Sequence, residues 1–90
     1  MIFLPVYTRQ FEKDIKRIKK RGKNLEKIKI IMRTLLQGDQ LDPIHQDHKL
    51  IGDYKERRGC HIESDWLLIY KIEESRIIFE RTGSHSDHFK

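Results

Sequence analysis

The sequence predicts an α+β domain with its elements in the order β-α-α-β-β-β, an antiparallel sheet packed against a two-helix hairpin. Three observations carry this. Apolar residues recur at helical spacing in two consecutive segments, Phe11-Ile15-Ile18 and Leu25-Ile28-Ile31-Met32-Leu35-Leu36. Arg21-Gly22-Lys23-Asn24 separates them, with Gly22 ending one helix and Asn24 capping the next. The last third of the chain divides into three β-type runs, 58–63, 66–72 and 76–81, parted by the turn material Ser64-Asp65 and Glu73-Glu74-Ser75.

The opening run, Met1 to Tyr7, reads as a strand. Pro5 cannot donate to a ladder, so the strand is expected at an edge or with Pro5 turned outward. Thr8 is placed to cap the first helix, and Gly38 to end the second. The helix pair must lay its apolar stripe on something, most simply the sheet. Gln37 to Lys55 is polar and irregular, with Pro43 and Gly52, and long connections of this kind tend to carry function. Trp66-Leu67-Leu68-Ile69-Tyr70 is nearly continuous in apolar character, which places it in the most central strand, buried on both faces.

Ninety residues make one domain, 1–90, with a modest core. Hydrophobic residues are 37% of the chain, which excludes a disordered segment. The net charge of +5 points to a polyanionic partner, nucleic acid or an acidic protein. Much of that charge lies on the helices, from Arg9 to Arg33; such a face is commonly just solvated, but here it is dense enough for a phosphate-backbone track. The single cysteine, Cys60, allows no disulfide within the chain and fits a reducing compartment. No apolar stretch approaches the ~20 residues of a membrane helix, and the apolar start lacks a basic flank and a cleavage site. A cytoplasmic protein without membrane contact is expected.

The chemistry-bearing residues concentrate in the second half: Asp47-His48-Lys49-Leu50-Ile51-Gly52, Cys60-His61-Ile62-Glu63-Ser64-Asp65-Trp66 and Phe79-Glu80-Arg81-Thr82-Gly83-Ser84-His85, with Phe89-Lys90 at the end. Histidine titrates near neutrality, and arginine's fork matches two phosphate oxygens. Histidines, carboxylates, an arginine and aromatics gathered in a small basic protein suggest acid–base chemistry on a phosphate. RNA supplies its own nucleophile, the 2′-hydroxyl, so its cleavage needs proton transfers and charge stabilisation at phosphorus. His61 and Glu63 stand two apart on an expected strand and should share a face, although for this pair alone cross-strand pairing on a solvated face is the better explanation. Trp66, Phe89 or Tyr54 can stack bases or simply fill core. His48, His61, Asp65 and His85 lack the close paired spacing of a zinc site, so no metal and no cofactor is expected. Cys60, adjacent to His61, should point to the opposite face as a core residue.

These motifs resemble the YafQ branch of the RelE/ParE toxin superfamily, the mRNA interferases of bacterial type II toxin–antitoxin pairs. The resemblance covers nearly the whole chain and is most specific at Asp47-His48-x-Leu50-x-Gly52, Arg58-x-x-His61-x-Glu63-x-Asp65 through Lys71, Phe79-Glu80-Arg81-Thr82-Gly83-x-His85 and Phe89. It implies an endoribonuclease that cuts mRNA in the ribosomal A site without a cofactor. It maps a catalytic set onto His48, His61, Asp65, Arg81 and His85, with His85 and Asp65 as the proton-transfer pair and Arg81 as phosphate clamp. Glu63, Trp66, Phe89, Lys49 and Arg58 become the substrate-binding set. It further implies a cognate antitoxin with an acidic segment, and promoter DNA bound only by the toxin–antitoxin complex. Gly59, Ser64, Glu56 and His88 depart from the family pattern, which bears on codon preference and potency rather than on class. His45 has no family counterpart. Two other readings of the same fold are a non-catalytic nucleic-acid binder and a ParE-type gyrase inhibitor, which would need no proton-transfer groups.

Overall fold

The structure, a computed structural model, describes residues 2–50 and 56–84. Among them the order is β1 (Leu4–Tyr7), α1 (Arg9–Lys20), α2 (Leu25–Leu36), a short 3-10 helix (Pro43–His45), β2 (His48–Lys49), β3 (Arg58–Glu63), β4 (Trp66–Glu73) and β5 (Arg76–Gly83). Thr8 caps α1 as expected: its hydroxyl accepts from the Phe11 N–H at 3.0 Å and donates to the Glu80 carbonyl at 2.9 Å. One side chain thus starts a helix and ties it to β5. Thr8→Ala should cost about 1–2 kcal/mol, read as a lower urea midpoint at unchanged slope; an unmoved midpoint would contradict the double role. Asn24 caps α2 through the Glu26 N–H. Gly22 (φ 80°) and Gly38 (φ 76°) follow the two helices in the left-handed conformation that glycine adopts freely.

The sheet order is β1-β5-β4-β3-β2, so β4 is central, and Trp66 through Tyr70 are all buried. Strands β2 to β5 pair antiparallel, but β1 pairs parallel to β5. The sheet is therefore mixed, which corrects the expectation of a wholly antiparallel one. Strands joined by tight turns must reverse direction. β1 reaches β5 only through the long helical connection, which leaves its direction free. The second addition is β2, a two-residue edge strand within the segment expected to be irregular.

Both helices pack on one face of the sheet. Phe11, Ile18, Ile28, Ile31, Leu35 and Leu36 meet Cys60, Ile62, Trp66, Leu68, Tyr70, Ile77 and Phe79 in a single core. The rings of the core residues Phe11 and Phe79 and of the exposed Tyr7 at the rim lie 5.8–6.0 Å apart, with Tyr70 at 6.5 Å from Phe79. Leu67 and Ile69, also buried, belong to the opposite face. No described helix is long and apolar enough to cross a membrane.

Candidate functional site

The sheet face away from the helices brings together two of the sequence-predicted histidines, His48 and His61, and the register position of Arg81. In register, His48 lies opposite Gly59, Gly59 opposite Ile69, and Ile69 opposite Arg81. The next row on that face runs His61, Leu67, Gly83. Neighbouring strands are about 4.8 Å apart, so His48, His61 and Arg81, which lie 13 to 33 positions apart in sequence, occupy adjoining rows of one sheet. His48 and His61 are diagonal neighbours and line one cavity of about 230 Å³ with Leu50, Gly59, Leu67 and Ile69. Gly59 keeps that cavity open. A Cβ there would sit 3.1 Å from a Leu50 methyl.

The His48 ring has a defined tautomer. Its Nδ1 lies 2.6 Å from the Gln46 carbonyl oxygen, a pure acceptor, so Nδ1 carries the hydrogen. In the neutral ring Nε2 is then the basic nitrogen. His45, on the 3-10 helix, likewise donates Nδ1–H to the His61 carbonyl at 2.7 Å. His45 therefore buttresses the strand that carries His61. His45 and His61 also line a second cavity, of about 360 Å³, with Gln46 and Ser64.

Asp65 sits in the β3–β4 turn and lines a cavity of about 300 Å³ with Arg21, Lys23, Trp66, Gly83 and Ser84. It stands at the same end of the sheet as the row His61-Leu67-Gly83. His85, Phe89 and Tyr54 lie outside the described residues. Lys49 is exposed on β2, beside His48.

Three predicted residues are placed by partners that no spacing rule reveals. Glu63 does not share a face with His61, which corrects the alternation argument. The ladder shifts register between His61 and Glu63. The extra residue turns Glu63 toward the helices, where it accepts from Lys23 Nζ at 3.0 Å and Lys27 Nζ at 2.6 Å. Those lysines pull its pKa below the ordinary value. Trp66 is buried core; its indole N–H donates to the Thr82 hydroxyl at 2.9 Å, and that hydroxyl donates to the Leu67 carbonyl. Arg58 donates Nε–H to Asp47 at 3.3 Å, and the buried Tyr70 hydroxyl donates to the same carboxylate oxygen at 2.7 Å. That anchor fixes the residue before His48.

Arg81 is held too. Its Nε–H and Nη2–H both donate to Asp14, at 2.8 and 3.3 Å. Asp14 is fully buried, and sequence reasoning missed it. The signal was there: Asp14 stands three residues after Phe11 and four before Ile18, inside the apolar stripe of α1. Cys60 is the core residue expected; burial pushes its thiol up to about 12, so it supplies no thiolate near neutrality. Among the described residues no three His, Cys, Asp or Glu side chains are grouped closely enough to hold a metal ion.

The fold is shared with solved structures of small bacterial toxins. The family model for the bacterial toxin of type II toxin–antitoxin system, YafQ, matches residues 4–90. The mRNA interferase toxin YafQ of Escherichia coli K12 is 40% identical over 84 residues, 92% of this chain and 91% of that protein. YafQ in the crystal structure of the E. coli DinJ–YafQ complex superposes with a TM-score of 0.91 at 38% identity, covering 98% of this chain and 99% of that one. A metal-bound toxin from Helicobacter pylori superposes at 0.90 with 34% identity, covering 99% of this chain and all of that one. The chain belongs to the YafQ family of type II toxin–antitoxin toxins.

Proposed function

We propose that the protein is an endoribonuclease that cuts mRNA in the ribosomal A site by metal-free acid–base chemistry, and so stops translation. The observation that carries this is the placement of His48, His61 and Arg81 on adjoining register rows of the sheet, with His48 and His61 lining one cavity, the Arg81 guanidinium held by Asp14 at the β5 edge, and Asp65 at the same end. The ribose 2′-hydroxyl attacks its own phosphorus, and the 5′-oxygen leaves with a proton. His48, with Nε2 basic, is suited to share removal of the 2′-proton. Asp65 and His85 form the main proton-transfer pair, with His61 sharing or positioning. Arg81 stabilises charge on the phosphate oxygens, while Lys49 and Arg58 contact the backbone and Phe89 stacks a base. Trp66 and Glu63 then serve RNA from behind, by packing and by tying Lys23 and Lys27 to β3.

The E. coli relative supports this reading: it is named an mRNA interferase, and it forms a complex with DinJ. We propose likewise a cognate antitoxin with an acidic segment, attracted by the +5 charge of this chain. The pair acts in the cytoplasm, and promoter DNA is bound only by the complex. The test is cleavage of a defined mRNA, with and without ribosomes, in EDTA, with cut sites mapped by primer extension. Cutting should persist in EDTA and fall at least ~100-fold in His85→Ala, with RNA still bound. Loss in EDTA of cutting that ribosome-free mRNA otherwise undergoes would end the metal-free reading. Binding without cutting by the wild type would move the assignment to a binding module.

A further inference from the structure

We propose that Asp14 is a positioning residue of the cleavage site, one that fixes the Arg81 guanidinium and the end of β5 against which substrate is held; this rests on the reading of the chain as an RNA-cleaving toxin. The argument starts from where β1 stops. Its pairing with β5 ends at Tyr7 opposite Phe79, so among the described residues the edge of β5 beyond that point has no strand partner. A bulge follows: Tyr70 pairs with Phe79 but Ile69 pairs with Arg81, leaving Glu80 as the extra residue. Bulges re-aim side chains and recur beside active sites. Asp14 meets this uncovered edge from α1. Its Oδ2 accepts the Thr82 backbone N–H at 3.1 Å, standing in for the missing strand, and the Arg81 Nε–H at 2.8 Å. Its Oδ1 accepts from Arg81 Nη2 at 3.3 Å, Arg17 Nη2 at 3.0 Å and Gln10 Nε2 at 3.2 Å.

A fully buried carboxylate with this many donors is an expensive way to gain stability, since hydrophobic side chains of equal volume often do as well. What it supplies is geometry. The two-point grip fixes both the plane and the direction of the guanidinium, while the Arg81 side chain stays 28% exposed. The Thr82 contact carries the same constraint to Trp66 and the β4 backbone, because the Thr82 hydroxyl bonds both. A phosphate clamp displaced by about 1 Å can cost about 100-fold in rate. Asp14 therefore acts on cleavage through Arg81, not by touching RNA.

The test is a double-mutant cycle on single-turnover mRNA cleavage at saturating toxin, with RNA affinity and folded fraction measured alongside. Arg81→Ala should slow cleavage about 100-fold or more. Asp14→Asn should slow it about 10–100-fold, with RNA affinity within about twofold of wild type. The double variant should be no slower than Arg81→Ala alone. A merely structural Asp14 would lower the folded fraction and leave the rate per folded molecule unchanged, which overturns the proposal, as would single effects that multiply in the double variant. If Asp14→Asn does not fold, guanidinium ion added to Arg81→Ala gives the readout. Guanidinium seated on Asp14 should restore cleavage about tenfold, where methylammonium does not. No rescue, or equal rescue by both, overturns the proposal. If the wild type itself does not cut, the functional reading falls and this inference with it; a cutting wild type with independent residues removes only the role of Asp14.

Discussion

Trp66→Ala will lower the free energy of unfolding by about 3–5 kcal/mol, a large share of what a domain of this size possesses. Trp66 is 1% exposed and packs within the one core shared by helices and sheet. Truncation opens a large cavity between β4 and the helix hairpin. It also removes the indole donor from the Thr82 hydroxyl, which retains its bond to the Leu67 carbonyl. The loss of cleavage in this variant should therefore track the loss of folded protein. Equilibrium unfolding in urea and RNA binding, measured on the same preparation, separate the two causes. A fully stable Trp66→Ala that has lost only RNA affinity would show that the indole serves as a stacking platform. Trp66→Phe should retain most of the stability, at a cost of about 1–3 kcal/mol.

Acid will unfold the protein through Asp14. Burial by itself raises a carboxyl's pKa, but the Arg81 hydrogen bond, the Thr82 N–H, the Gln10 amide and the Arg81 charge outweigh it. The net result holds Asp14 below its ordinary value of 3.8. The group is thus more acidic folded than unfolded. Its contribution is fully present above the unfolded value and is lost as pH falls through the folded one. Stability should hold nearly level from about pH 7 to 5, then fall steeply below about pH 4. Asp14→Ala should cost about 3 kcal/mol at neutral pH, the low end for breaking a buried ion pair, because both arginines keep access to water. Asp14→Asn should flatten the acid limb. Glu63 and Glu73 also sit low, but their side chains stay 31% and 34% exposed and water screens their lysine and arginine partners, so they add little. An acid limb of the same depth in Asp14→Asn and wild type would assign acid unfolding to other carboxylates.

The elements were legible where a local rule was strong. Thr8 and Asn24 cap the helices that their positions announce, and Gly22 and Gly38 close them. The run Trp66–Tyr70 is the central strand that its apolar continuity required. Legibility stopped where the chain departs from strict period two. One extra residue between His61 and Glu63 defeats the assumption that residues two apart share a face, and another at Glu80 sets the register of Arg81. Bulges leave little trace in composition, since they depend on the ladder opposite. Part of the candidate site was legible as residue types: His48 and His61 do come together. That they do so across a glycine, and with a defined His48 tautomer, was not.

The sequence by itself determined the fold class, the helix limits, the basic charge and the inventory of proton-transferring groups, because helical periodicity, capping and charge are properties of neighbours along the chain. Only the tertiary structure decided the parallel pairing of β1, the direction of Glu63, the Thr82 hydroxyl as partner of the Trp66 indole and the capture of Arg81 by Asp14. Arg81 and Asp14 lie 67 positions apart and are joined where one strand ends and another runs on. Contacts of that range depend on which edges the fold leaves uncovered, and an edge exists only once the strands have paired.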